Sequence, residues 1–170
     1  MNEYIGSVVD TIIDKKGRHW PIIKLHDGIY GFRDCPFVSC YNEEYGFTPW
    51  EKSTAFNEAM KWIGENMTAE QQKRWDKPFI ASLANIVGGG FGSGFSDIQW
   101  DYYKDWHNRV KSCPDYWGQE DADYGACYIT STLVDYEEEK GVYVQCVNTG
   151  GKPYVDRVLS PRGVSLCFMA

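Results

Sequence analysis

The chain has 170 residues, a length typical of one domain, and 43% of them are hydrophobic, which excludes a disordered chain. Its formal net charge of −7 disfavours binding to nucleic acid or insertion into anionic membranes. No apolar run is long enough to span a bilayer, and no secretion signal is visible at the N-terminus. We expect a single domain over residues 1–170, in the cytoplasm unless it belongs to a virion or a cell exterior.

The first 32 residues are predicted to form a small antiparallel meander. They contain three runs rich in β-branched residues, which are separated by turns that contain glycine. The expected strands are Ser7–Ile13, His19–Leu25 and Ile29–Phe32. Residues 33–47 show no regular pattern, so we expect an irregular connection there.

The middle of the chain, residues 48–111, is predicted to contain helices and a glycine-rich loop. Capping signals open helices at Thr48, Thr68 and Ser96, and Gly88 is placed to end a further helix over residues 80–87. In the last of these helices, Ile98, Tyr102, Trp106 and Val110 recur every four residues.

The C-terminal part, residues 124–169, returns to strand patterns. The expected strands are Tyr124–Leu133, Gly141–Val147, Tyr154–Leu159 and Gly163–Met169, with a hairpin turn at residues 148–151. Strands at both ends and helices between them indicate an α+β fold. In such a fold, we expect the strands near the two ends of the chain to pair with each other.

Three segments of this layout resemble C-type-lectin-like domains of bacteria and phages. They are residues 75–86, Tyr128–Thr132 and Arg162–Phe168. The resemblance is to Fibrobacter-type paralogous domains and to the variable proteins of diversity-generating retroelements, and it covers residues 75–170. The chain departs from the usual pattern at Phe79 and Leu166.

The resemblance implies a C-type-lectin-like fold that serves as a non-enzymatic binding or assembly module. For a phage member, it implies a virion or host-recognition protein that binds a receptor through protein–protein contacts. It also implies a protein or glycan ligand, and a homo-oligomer or a larger assembly. Loops on a fixed scaffold would carry the binding surface.

The Tyr and Trp residues between positions 100 and 117 are the expected contact surface. A helix over this region cannot bury rings on both of its sides, so a partner or another part of the domain must cover one set. Two further rings lie within the glycine-rich loop. The candidate binding residues are Phe91, Phe95, Trp100, Tyr103, Trp106, Tyr116 and Trp117.

An enzyme is the alternative hypothesis, most simply a small hydrolase. It would use paired acids such as Asp101 and Asp105, or a cysteine–histidine pair drawn from six cysteines and three histidines. No catalytic or metal-binding motif is complete, so we expect no cofactor. Calcium at the acidic clusters 120–123 and 137–139 stays open, as does phosphate at the glycine-rich loop.

Overall fold

The structure, a computed structural model, describes residues 3–88, 98–115, 126–135 and 142–170. These residues form an α+β fold with two mostly antiparallel sheets and few helices, so the predicted class is confirmed. The strands are β1 (Val8–Ile13), β2 (His19–His26), β3 (Ile29–Phe32), β4 (Phe37–Ser39), β5 (Tyr128–Asp135), β6 (Val142–Val147), β7 (Pro153–Arg157), β8 (Arg162–Val164) and β9 (Cys167–Met169). The helices are α1 (Thr54–Asn66), α2 (Ala69–Arg74) and α3 (Leu83–Val87), with 3-10 helices at Trp50–Lys52, Asp101–Lys104 and Trp106–Arg109.

The first sheet joins the two ends of the chain, in the order β1-β2-β3-β9. The predicted meander is therefore confirmed, and so is the pairing of terminal strands, which β3 and β9 provide. Gly31 of β3 makes close approach possible at this junction. A Cβ atom at this position would lie 2.8 Å from Cδ1 of Leu25 and 2.9 Å from the carbonyl oxygen of Leu166, so a larger residue would push the chains apart.

The second sheet has the order β4-β8-β5-β6-β7 and differs from the prediction in two places. The expected strand Gly163–Met169 is wrong as one element, because the chain leaves the second sheet after β8 and enters the first sheet as β9. Ser165 fixes this crossing, since its hydroxyl donates to the carbonyl oxygen of Phe32 at 3.0 Å. β4 lies where irregular structure was expected, and it forms by pairing with the distant β8.

Each of the three α-helices begins directly after a residue whose side chain caps it. α2 has the predicted capping box at Thr68 and Gln71, and α3 ends at Gly88, which has a φ of 80°. α1 begins later than predicted, because Ser53 rather than Thr48 caps it by accepting a hydrogen bond from the Phe56 N–H group.

The long helix predicted after Ser96 is wrong over the described residues 98–110. Two 3-10 helices replace it, and Asp105 separates them by capping the second one at the His107 N–H group. The rings of this segment therefore do not share one helical stripe.

Buried aromatic residues form the core on both sides of the first sheet. One cluster lies under α1 and α2 and includes Phe32, Trp62, Trp75 and Phe168. The other packs the 98–113 segment against β2 and β5. Its members include Ile23, Leu25, Trp100, Tyr103 and Tyr128.

The buried Lys111 fastens the 98–113 segment to the first sheet. Its ammonium group donates to the carbonyl oxygens of Phe32 at 3.1 Å and Arg33 at 2.9 Å. It also lies 5.3 Å from the ring centroid of Tyr103 and 5.7 Å from that of Tyr128. These rings stabilise a cation that has left water, so the segment is held in place from both sides.

Candidate ligand-binding groove

A groove of about 510 Å³ lies where β9, β5 and the start of α3 meet. Its lining is mainly apolar, which is the usual character of a ligand site. The rings and aliphatic side chains that line it include Trp50, Phe56, Phe79, Ile80, Trp100 and Met169.

Fixed contacts hold the aromatic walls of the groove. The indole N–H of Trp50 donates to the carbonyl oxygen of Pro78 at 2.8 Å, and its ring meets Phe56 edge to face with centroids 5.8 Å apart. Phe79 meets Trp100 in the same way on the other wall, at 6.1 Å. Because these rings are already placed by the fold, a ligand would not have to order them.

A bulge in β5 places polar groups at one end of the groove. The register between β5 and β6 shifts between Ile129 and Leu133. The bulged segment then binds the chain before α3, since the Ser131 N–H donates to the carbonyl oxygen of Ala81 at 3.0 Å. The Leu83 N–H donates to the hydroxyl of Thr132 at the same distance. β-Bulges re-aim side chains beside binding sites, and here Ser131 lines the groove.

Ser82 adds a buried hydroxyl to the same end of the groove. Its oxygen accepts a hydrogen bond from the Asn85 N–H group at 3.2 Å, and only 3% of the residue is exposed. Within the described part of the chain, no residue accepts a hydrogen bond from this hydroxyl. A ligand oxygen in the groove is therefore a suitable acceptor.

Two exposed charges form the rim of the groove. Lys77 and Glu51 both line it. Neither side chain forms an ion pair or a hydrogen bond with another residue in the ranges that the structure describes. Lys77 also has a φ of 53°, the only positive φ at a non-glycine residue in those ranges, and this conformation costs about 1–2 kcal/mol. Such backbone strain is found preferentially at functional sites.

Two of the predicted contact residues lie in the core. Tyr103 is 1% exposed, so its assignment to a partner surface is wrong, and burial raises the pKa of its hydroxyl well above the usual range. Trp100 is 2% exposed and offers a partner no open surface, although it forms part of the groove wall. Tyr103 lies in the first 3-10 helix and Trp100 directly precedes it, and their rings stack on each other with centroids 6.3 Å apart.

Trp106 is the predicted residue that the structure leaves exposed. Its ring is 55% exposed and stacks on His107 with centroids 3.9 Å apart. The other four, Phe91, Phe95, Tyr116 and Trp117, lie outside the described residues.

The candidate catalytic acids each have a basic neighbour. Asp101 lies 2.6 Å from the Lys104 ammonium group and 2.9 Å from Nδ1 of His26. Asp105 lies 2.9 Å from Nδ1 of His107. Hydrogen bonds from Lys104 and His107 lower the pKa values of Asp101 and Asp105, respectively. A glycosidase needs one acid with a raised pKa, and neither member of this pair has one.

Four of the six thiols have the opposite character to a cysteine nucleophile. Burial raises the pKa values of Cys35, Cys40, Cys146 and Cys167, whereas a nucleophilic thiolate needs a lowered pKa. All six cysteines and all three histidines are described, and no hydrogen bond joins a cysteine to a histidine among them. The same set of cysteines contains no disulfide.

The described ranges contain neither a metal cluster nor a membrane-spanning helix. These ranges contain no cluster of histidine, cysteine or acidic residues that could hold a metal ion. The acidic clusters 120–123 and 137–139, considered for calcium, lie outside them, as does most of the glycine-rich loop considered for phosphate. None of the helices in these ranges is long and apolar enough to cross a membrane.

Sequence patterns did not identify the groove as a site. Its polar and charged members come from three separate stretches of the chain, and they are Glu51, Lys77, Ser82, Asn85 and Ser131. The available signal was the segment 75–86, which the lectin-like resemblance had already singled out. No family model matches the chain, and neither a curated protein nor a solved structure matches it.

Proposed function

We propose that this chain is a non-enzymatic binding or assembly module whose ligand enters the groove beside β9. The observation that carries the proposal is a preformed apolar groove beside polar groups that keep hydrogen-bonding or charge capacity unused within the described residues. The Ser82 hydroxyl, Lys77 and Glu51 all line the groove. Among the described residues, none accepts a hydrogen bond from the Ser82 hydroxyl, and none forms an ion pair with Lys77 or Glu51. The Ser82 hydroxyl caps α3 by accepting from the Asn85 N–H group, so the capacity that it keeps for a ligand is its own O–H donor.

We further propose that the scaffold is C-type-lectin-like. The pairing of β3 with β9 supports it, because this pairing closes the chain into a loop around α1, α2 and the second sheet. The three segments of the resemblance also converge on one place. Segment 75–86 forms a groove wall, Tyr128–Thr132 contains the bulge, and Arg162–Phe168 leads into Met169 at the groove edge.

The proposal also covers the assembly to which the protein belongs and the class of its ligand. On the strength of the resemblance, we place the chain in a phage virion or in a host-recognition assembly, with a protein or glycan ligand. The contacts of Asp101 and Asp105 and the raised thiol pKa values favour this function over the hydrolase.

The test is a binding screen with a matched pair of variants. The purified chain is applied to a glycan array and to a displayed random-peptide library, and the binders are then measured against Ser131→Phe and Thr149→Phe. Ser131→Phe fills the groove, whereas Thr149→Phe adds the same ring at an exposed turn. We expect the first variant to lose binding and the second to retain it.

Two results would overturn the proposal. One is that no glycan or peptide binds. The other is that the bound glycans or peptides are cleaved at a rate proportional to the protein concentration.

A further inference from the structure

One edge of β9 pairs with β3, and the main-chain groups on its other edge are only partly used by the fold. The Phe32 N–H donates to the carbonyl oxygen of Leu166 at 2.9 Å, and the Ala170 N–H donates to that of Gly28 at 3.3 Å. These two hydrogen bonds lie at either end of β9 and show which of its residues form hydrogen-bonded pairs with β3. In an antiparallel pair, hydrogen-bonded and non-hydrogen-bonded positions alternate, so the main-chain groups of Cys167 and Met169 point away from β3.

On the edge of β9 that faces away from β3, Phe79 pairs with Cys167. No described residue pairs with Met169 on that edge. The N–H and C=O groups of Phe79 exchange hydrogen bonds with those of Cys167, at 2.9 and 2.7 Å. A continued ladder would place Lys77 opposite Met169. The left-handed conformation of Lys77 ends this pairing, and in the described part of the chain nothing hydrogen-bonds to the Met169 N–H or C=O group.

Side chains opposite each other in adjacent strands lie on the same face of a sheet. Phe79 and Cys167 show this here, since they lie opposite each other and pack into the same hydrophobic cluster, and the Phe79 ring also lines the groove. Ile29 and Met169 are also opposite each other, and both line the groove. A residue from another chain that paired with Met169 would therefore direct its side chain into the same groove.

We infer that the groove binds an extended segment of a partner protein, which adds to β9 at Met169 and inserts one large apolar side chain. This inference rests on the proposed function and names the ligand class. Main-chain hydrogen bonds to a strand edge provide affinity, and a pocket for one side chain provides specificity. The rings of Trp50, Phe79 and Trp100 make an aromatic side chain the best fit.

The first test uses a defined peptide and one amide of the protein. The probe is an acetylated, amidated peptide of alternating threonine and valine with a central tryptophan. Its binding should slow hydrogen exchange at the Met169 amide, followed by NMR. The Phe168 amide is the internal control, because it already pairs with Tyr30 in the free protein.

Peptide variants separate the side-chain contribution from the main-chain contribution. Replacing the central tryptophan with alanine should weaken binding by about tenfold or more, because the apolar burial is lost. N-methylation of the residue that pairs with Met169 should weaken binding about three- to tenfold, because one main-chain hydrogen bond is lost.

Variants of the protein test the same two contributions. Met169→Pro removes an N–H group that the fold itself does not use, and Ser131→Phe fills the groove. Both should weaken binding of the tryptophan peptide, whereas Thr149→Phe should not. Proline is tolerated at strand edges, and the melting temperature of each variant shows whether it folds.

Three outcomes would overturn the inference. They are peptide binding without protection of the Met169 amide, equal binding of the blocked single amino acid N-acetyltryptophanamide, and filling of the groove by a second copy of the chain in a dimer. The proposed function fails separately. It fails when no screened glycan or peptide binds, or when Ser131→Phe leaves the affinity unchanged. If Ser131→Phe abolishes binding of the screened ligands but Met169→Pro leaves their affinity unchanged, the groove stands as the site and the strand-edge site falls.

Discussion

Two turns of this molecule use a left-handed residue in different ways. The turn between β1 and β2 has Gly17 at a φ of 79°, which costs a glycine little, and its polar centre is the buried Asp14. The turn at residues 76–79 has Lys77 at a φ of 53°, where a side chain is strained. Asp14 is fully used by the fold, whereas Lys77 has no such role among the described residues. The turn at Gly17 therefore stabilises the fold, whereas the side chain of Lys77 in the second turn is available to a ligand.

The contacts of Asp14 explain its importance to the first turn. Its carboxylate accepts hydrogen bonds from the Lys16 and Arg18 N–H groups, the Arg18 side chain and the indole N–H of Trp20, all within 2.9 Å. Trp20 is 4% exposed, so its indole N–H has no ready access to water.

Asp14→Ala should have the largest effect on stability. It leaves the buried Trp20 indole N–H without its acceptor and removes one of the two carboxylates that the Arg18 guanidinium contacts, the other being Asp115. We therefore expect a loss of about 2–4 kcal/mol in the free energy of unfolding. Urea denaturation measures this loss. Asp14→Asn is the matched control, because it keeps one acceptor oxygen and should lose less. Equal stability of the alanine variant and the wild type would remove the distinction between the two turns.

Acid should weaken the first turn through the same carboxylate. Burial raises the pKa of Asp14, but the hydrogen bonds from Trp20 and Arg18 outweigh burial and lower it from 3.8 to about 2. A lowered pKa means that the unfolded chain binds the proton first. The stabilisation is therefore complete above about pH 4 and disappears as the pH falls towards 2, a loss of about 1–2 kcal/mol.

The measurement is the free energy of unfolding at several pH values between 5 and 2. The wild type should lose more stability than Asp14→Asn, whose side chain does not titrate. Parallel curves for the two proteins would show that other acids control the acid transition.

Local signals in the sequence were sufficient for much of the fold. The β3 strand, the Thr68 capping box and the end of α3 at Gly88 all depend on residues within a few positions of each other. Long-range contacts decided the rest. β4 needs β8 to pair with, and the split of the last predicted strand depends on Ser165 contacting Phe32.

The candidate site was harder to predict because long-range packing builds it. Trp100 was expected on a partner surface, but its ring packs on Phe79, twenty-one positions away in the chain, as a groove wall. The bulge that places Ser131 requires the register of β6 and the main chain of Ala81. Neither register nor bulge position follows from a pattern within one strand.

Lys77→Gly has the smallest expected effect on stability, and it tests most directly whether the two turns differ. Glycine relieves the left-handed strain but adds freedom to the unfolded chain, so we expect a net gain of up to about 1 kcal/mol. Gly17→Ala is the matched opposite. Apart from its own chain neighbours, no atom lies within 4 Å of the added Cβ, so its expected loss of about 1–2 kcal/mol comes from the backbone conformation.

Thermal and urea unfolding of both variants measure these changes. A gain for Lys77→Gly, together with weaker binding of a groove ligand by this variant, would mean that the lysine serves the ligand at the expense of the fold. A loss of stability would instead mean that Lys77 supports the turn, as Asp14 supports the first one, and the two turns would no longer differ in kind.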